Sequence, residues 1–264
     1  MPKDLTESHR RFLQEMMQCG IMDVSKCNSL YKKCCEIHKA NYIPDKLDDF
    51  VNEINTHLQP MFMHIRCGMS EEDGQQYYAL VNLADTEITR MATDYSDNEL
   101  ELFRKAMDLI LDSDNGLASS TDILNLADTV QTKKMKKKDA EQVLQRLVQN
   151  KWLCEKNGEY SLSTRCIIEM EPYIRNVYQD SVCNICHNVA VQSQMCENSL
   201  CGIRMHFPCV ARVFRGQPEP HCPACKDFWP HEIPELNISH SQLPAPSQPG
   251  PSNEKTSRYG RPRR

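Results

Sequence analysis

The hydrophobic and polar positions of residues 1–180 follow one plan twice: three helices, then a β-hairpin. In the first copy Phe12, Leu13, Met16 and Met17 recur at helical spacing, and Gly20 supplies the residue type that closes helices. Val24, Leu30, Tyr31 and Cys34 predict a second helix. Asp45 leads into Leu47, Phe50, Val51, Ile54 and Leu58, a third helix stopping at Pro60. Met61–Arg66 and Gln76–Leu83 predict strands joined by the polar turn Gly68–Gly74. In the second copy Ser96 and Glu99 have capping-box spacing ahead of Leu100, Phe103, Met107 and Ile110. Ser119 and Asp122 repeat that spacing before Ile123, Leu126 and Val130. A third helix is predicted from about Lys136 to Asn150 through Ala140, Val143, Leu144 and Leu147. Trp152–Glu155 and Glu159–Leu162 flank Asn157-Gly158, a pair suited to a type I′ turn because that turn needs positive φ twice. A last helix is predicted from Thr164 to about Tyr178, with Pro172 kinking it or starting a new first turn.

Three helices and a hairpin make the winged-helix plan. The expected class is therefore α+β multidomain: a first winged-helix domain over 1–92, a second over 93–180, a zinc finger over 181–236 and a disordered basic tail over 237–264. The tail holds five Pro, five Ser and five Lys or Arg, with Glu254 its one acidic residue, a composition with little to bury. Net charge is −5 overall and +4 in the tail, which leaves −9 for residues 1–236 and argues against a globally basic nucleic-acid binder. No apolar run reaches the roughly 18 residues needed to span a bilayer, and MPKDLTESHRR is too charged for a secretory leader, so no membrane role is expected. Lys133, Lys134, Lys136, Lys137 and Lys138 crowd the start of the second copy's third helix, against the macrodipole. They are candidate DNA-phosphate contacts or a solvated charge run.

Fourteen cysteines change the picture. Cys19, Cys27, Cys34, Cys35, Cys67, Cys154 and Cys166 scatter through helix-like apolar patterns and read as small buried hydrophobes. The other seven join a histidine as Cys183-x2-Cys186-x9-Cys196-x4-Cys201-x4-His206-x2-Cys209-x12-Cys222-x2-Cys225. Eight soft donors in four pairs suit two tetrahedral Zn²⁺ ions per chain. A 43-residue segment is too short for a large apolar core, so metal must supply its folding energy. His187 and His221 adjoin ligands, and neighbouring residues rarely share one ion, so His206, paired with Cys209, is the expected ligand.

The order of four cysteines, one histidine and three cysteines is shared by PHD fingers, which read chromatin peptides, and variant RINGs, which recruit a ubiquitin-conjugating enzyme. The x4 gap after Cys196 suits the PHD finger. Ile185 before the second ligand, Pro223 after the seventh, and Pro220 where PHD fingers place an aromatic favour the RING. Phe214, Phe228 and Trp229 either extend a docking face or are buried around the zinc fold.

The whole chain over about residues 8–236 resembles the non-SMC-element-one family of the structural-maintenance-of-chromosomes five/six complex. The resemblance is carried by Tyr78-Ala-Leu-Val-Asn-Leu-Ala84, Asn98-Glu-Leu-Glu-Leu-Phe-Arg-Lys105, Ala140-Glu-Gln-Val-Leu-Gln145, Cys201-Gly-Ile-Arg-Met-His206 and Trp229-Pro-His-Glu-Ile-Pro234. One departure is Glu197-Asn-Ser-Leu200, where the family usually has two residues; the added pair either loosens the second zinc site or bulges outward. The resemblance implies a nuclear, chromatin-associated RING-type E3 ubiquitin ligase acting in DNA repair by homologous recombination. It implies docking of the winged helices on a MAGE-family subunit, and a kleisin-like subunit joining both to the SMC arms. Its cross-brace wiring would put Cys183, Cys186, His206 and Cys209 on one zinc, and Cys196, Cys201, Cys222 and Cys225 on the other. No residue would be a nucleophile. Ile185 and Pro223 would contact the conjugating enzyme, Lys226 would sit where many RINGs keep a basic residue against ubiquitin, and DNA would be met through the assembled complex. A PHD-like reader and a non-catalytic scaffold are the alternatives.

Overall fold

The computed structural model describes residues 4–83, 95–132, 134–179 and 181–235. The expected boundary at 92/93, Lys133 and the tail from residue 237 lie outside those residues.

The first unit runs α1 (Glu7–Cys19), β1 (Ile21–Asp23), α2 (Val24–Ile37), α3 (Leu47–Leu58), β2 (Met63–Met69) and β3 (Gln76–Asn82). Gly20 closes α1 at φ 71°, as its placement predicts. Asp23 then caps α2 by accepting from Lys26 N–H at 2.8 Å. Phe12, Met16, Cys27, Tyr31, Phe50 and Ile54 form the core over an antiparallel sheet ordered β1-β3-β2. Two expectations shift. Pro60 lies inside a 3-10 turn, Gln59–Met61, which delays β2 to Met63. The strand then continues through Gly68 to Met69 rather than turning at Gly68, because Gly68 pairs with Tyr77. The strand β1 was not foreseen; three residues are too few for an alternating pattern.

The second unit repeats this order: α4 (Asp97–Leu111), β4 (Ala118–Ser119), α5 (Ser120–Leu126), α6 (Lys137–Gln149), β5 (Leu153–Lys156) and β6 (Glu159–Leu162), with sheet order β4-β6-β5. Both capping signals hold: Glu99 accepts from Ser96 N–H at 2.8 Å, and Ser119 Oγ accepts from Asp122 N–H at 3.1 Å. Asn157 and Gly158 adopt φ 54° and 82°, the double positive φ of a type I′ turn. The helix α7 (Thr164–Val177) follows and carries Pro172 within it.

Contacts between the units are close. Ile168 of α7 packs with Ala79 and Val81 of the first sheet. Asn82 N–H donates to Glu169 Oε1 at 3.2 Å, and Lys151 Nζ donates to the Cys19 carbonyl at 3.2 Å. Of the scattered cysteines, Cys27, Cys34, Cys35 and Cys166 are buried as expected, and Cys154 is half-buried. Cys19, at the end of α1, and Cys67, on β2 opposite Tyr78, are exposed instead. None of the fourteen cysteines is in a disulfide. No helix among the described residues is long and apolar enough to cross a membrane.

Gly68 is where the strand and α7 meet: a Cβ there would lie 2.4 Å from Ile168 Cγ1. Gly68→Ala is therefore expected to destabilise the chain by about 1–3 kcal/mol, the usual cost of overpacking. In urea unfolding, Ile168→Ala in the same chain should recover part of that loss. Additive losses would show that the contact is not where the cost arises.

Candidate metal centre

The third unit is built on β7 (Ser193–Met195), β8 (Arg204–His206) and α8 (Phe207–Val213). Antiparallel pairing of Ser193 with His206 and of Met195 with Arg204 brings the middle of the segment onto its own later part. Cys183 bridges to Arg204, which sets the first cysteine pair beside His206. The start of α8 presents Cys209 one turn beyond His206. The last pair sits on a turn in which Lys226 N–H donates to the Cys222 carbonyl at 3.0 Å.

These elements bring the eight donors into two groups: Cys183, Cys186, His206 and Cys209, and Cys196, Cys201, Cys222 and Cys225. Within each group the donor atoms lie within 4.8 Å of one another. A tetrahedral zinc with Zn–S near 2.3 Å and Zn–N near 2.0–2.1 Å needs S···S spacings of about 3.8 Å and N···S spacings of about 3.6 Å. Cys196 and Cys225 sulfurs are 3.6 Å apart, and those of Cys201 and Cys222 are 3.7 Å apart. His206 Nδ1 lies 3.3 Å from Cys186 Sγ and 3.9 Å from Cys209 Sγ. The donor set and its spacing fit zinc. His187 and His221, both exposed, stay outside the groups, and His221 Nδ1 lies 2.9 Å from the Glu219 carbonyl.

The donor thiols shift in both directions: burial pushes Cys196 up to about 12 and a hydrogen bond with Cys183 raises Cys209, while Cys183 and Cys222 are lowered. Hydrogen bonds from Cys186 and Cys209 drive the Cys183 thiol far below its ordinary pKa. Burial raises the Cys222 thiol, but backbone N–H groups of Cys225 and Ala224 oppose it and bring the pKa to about 7. Arg212 Nη2 donates to Cys209 Sγ at 3.4 Å. With Nδ1 facing the thiols, His206 donates its other ring N–H to the Val189 carbonyl at 2.7 Å and to Glu71 Oε1 at 3.2 Å. Such outer partners orient a ligating imidazole.

Glu71, which lies outside this unit, was missed in the sequence, where it is one more polar residue in a hairpin turn. It is buried, and it also accepts from Val191 N–H at 2.7 Å and Gln192 N–H at 2.9 Å. No spacing rule could reveal it, because 135 residues separate it from His206.

The added residues at Glu197–Leu200 bulge outward. Asn198 Oδ1 accepts from Leu200 N–H at 2.9 Å, and the Asn198 carbonyl accepts from Cys201 N–H at 2.9 Å. Leu200 is 97% exposed, while Cys201 stays in its donor group. Ile185 is half-buried against the finger's core, Pro223 is half-buried, and Lys226 is exposed with Nζ donating to the Pro223 carbonyl at 2.9 Å. Phe214 and Trp229 are buried, at 2% and 1%, whereas Phe228 is 60% exposed, so of the three aromatics only Phe228 presents an apolar surface.

Lys134, Lys136, Lys137 and Lys138 are exposed at the entry to α6, and Lys137 Nζ donates to Asn125 Oδ1 at 2.7 Å. The segment before them is pinned by Glu101, which accepts from Gln131 N–H at 2.8 Å and Thr132 N–H at 3.0 Å. Those bonds, that of Thr132 first, hold the Glu101 pKa down at about 2.

The family described as "Nse1 non-SMC component of SMC5-6 complex" matches residues 9–170, and a RING-like domain matches residues 183–225. The Xenopus laevis "Non-structural maintenance of chromosomes element 1 homolog" is 58% identical over 250 residues, covering 94% of this chain and 92% of that one. The Homo sapiens protein of the same name is 54% identical over 234 residues, covering 88% and 87%. Among solved structures, a chain of an "Nse1-Nse3-Nse4 complex" is similar at TM-score 0.80 and 57% identity, covering 88% of this chain and all of that one.

The geometry predicts two zinc equivalents per chain by elemental analysis. Cys183→Ser and Cys196→Ser should each remove about one of them. Strong chelation should unfold residues 181–236 while leaving the helical signal of residues 1–180; a chain with one zinc or none would contradict the eight-donor arrangement.

Proposed function

The chain belongs to the Nse1 family of non-SMC components of the SMC5-6 complex, and from that membership we propose that it is a RING-type E3 ubiquitin-protein ligase subunit of that complex. The observation that carries the reading is the interleaving of the two donor groups, first pair with third and second with fourth, in a RING-like domain. Each group would hold one structural Zn²⁺ with all four positions taken by protein donors, so the metal would order the backbone and leave no open site for substrate. The ions fix two knuckles, one carrying Ile185 and the other Pro223. These would meet the apolar surface of a charged ubiquitin-conjugating enzyme. The chain's contribution to transfer is then orientation of the thioester toward an acceptor lysine. Lys226, held to the Pro223 carbonyl, would be the basic residue next to ubiquitin. A lysine offers fewer directed donors than an arginine there, so transfer is expected to depend on a partner.

We read the two helical units as winged helices, with bounds near 1–92 and 93–180. The shared order helix-strand-helix-helix-strand-strand and the matching sheet orders support this. They would form a docking platform for a MAGE-family subunit, with a kleisin-like subunit connecting both to the SMC arms; the similarity to a chain of an Nse1-Nse3-Nse4 complex supports that assembly. Membership in a chromosome-maintenance complex supports a nuclear, chromatin-associated role in DNA repair by recombination.

The test is ubiquitin-chain formation by the purified chain with ubiquitin-activating and conjugating enzymes, ubiquitin and ATP, with and without the MAGE-family subunit. A peptide reader or a scaffold gives no chains in either case. Ile185→Arg should keep two zincs and the MAGE-family partner but lose transfer. Loss of a central anchor of about 2 kcal/mol corresponds to roughly thirtyfold weaker docking. Transfer at the original rate with normal zinc would place the enzyme elsewhere. Replacing Lys133, Lys134, Lys136, Lys137 and Lys138 with Ala should weaken DNA binding by the assembled complex and flatten its salt dependence. An unchanged slope would identify the run as solvated surface.

A further inference from the structure

The turn between β2 and β3 carries Ser70 and Glu71 into the interior, each only 5% exposed. Here the first unit touches the finger most intimately. A Cβ on Gly74, whose φ is +69°, would lie 2.7 Å from Pro208 Cβ on α8, between the donors His206 and Cys209. Met69 packs against the finger's core, and Glu72 pairs with Lys156 of the second unit's hairpin. The Glu71 carboxylate, at the centre of this contact, accepts three N–H groups, all from the finger: those of Val191, Gln192 and the His206 ring. The His206 ring N–H is thus shared between a carbonyl of its own unit, Val189, and a carboxylate of another.

A buried carboxylate with three donors and an acceptor-only side chain is matched to this place. Glutamine is not, because its NH₂ group would have to face an N–H. We propose that Glu71 is a positioning residue for the first donor group. From outside the finger it fixes the ring plane and tautomer of His206, so that the first unit's hairpin forms part of that site's support. The proposal rests on reading Cys183, Cys186, His206 and Cys209 as a zinc site. It adds that retention of this zinc, and the orientation of the finger, depend on how the first unit is seated. Anything bound rigidly to the first unit is then attached rigidly to the finger.

The experiment follows zinc release from the full chain into a colorimetric chelator. Glu71→Gln should release one equivalent at least about tenfold faster, the usual cost of losing an outer partner of a ligand, while the other keeps its rate. In a His206→Cys background a thiolate replaces the imidazole and no ring N–H needs orienting. There the same Glu71→Gln change should alter release by less than about threefold, the scatter of uncoupled changes. A full-sized effect in that background, equal acceleration of both equivalents, or no acceleration overturns the proposal. Amide exchange gives a second reading that needs only the single variant: Val191 and Gln192 should exchange faster in Glu71→Gln, and unchanged protection overturns the proposal. A wild-type chain without two zincs would overturn the metal reading itself. That result is distinct from a two-zinc wild type whose release is insensitive to Glu71.

Discussion

Convergence of eight donor atoms into two groups is the constraint on which the last quarter of the described chain depends. Four of the nine buried residues in the finger's core are donor cysteines: Cys183, Cys196, Cys209 and Cys222. The apolar remainder, Ala190, Met205, Val210, Phe214 and Trp229, is too small to repay the entropy of ordering the segment. Around the donors, the secondary structure is short and serves placement. The β7–β8 pairing carries His206 across from Ser193, and α8 adds Cys209. The chain beyond Cys225 returns along β7, where Trp229 Nε1 donates to Gln194 Oε1 at 2.9 Å and His231 Nε2 donates to the Met195 carbonyl at 2.7 Å.

The finger is also continuous with the two helical units. Val189 and Val191 belong to the second unit's core, with Ile110 and Met170. Gly116 permits this approach, since a Cβ there would lie 2.7 Å from the Val191 carbonyl oxygen. Arg175 of α7 donates to the His187 carbonyl at 2.8 Å and steadies the first knuckle. The segment 187–192 is therefore held between the finger's own core, through Ala190, and partners outside the finger.

This packing distributes surface unevenly between two units of the same plan. The first unit's hairpin turn, a place where a winged helix offers contacts to DNA, is occupied by the finger through Glu71 and Gly74. The second unit's Asn157-Gly158 turn has open space beside Gly158, and four described lysines stand exposed at the head of α6. On the proposed reading, contact with nucleic acid would fall to the second unit, and the first would serve assembly.

The helices, the hairpins and the donor set were legible in the sequence because each is specified locally. Gly20, the Ser96–Glu99 and Ser119–Asp122 caps, Asn157-Gly158 and the paired cysteines act over a few residues. The strands β1 and β4 were not legible. At three and two residues they carry no period, and they exist because β3 and β6 have an edge to fill. Gly68 read as a turn signal and proved to be a strand residue, since its small size answers to Ile168, far along the chain. Phe214 and Trp229 looked as fit for a docking face as Phe228, and only packing separated them. Glu71 is the furthest case. Its role comes from three N–H groups that reach it only when separate units close on one another, and residue type and spacing carry no trace of such a meeting.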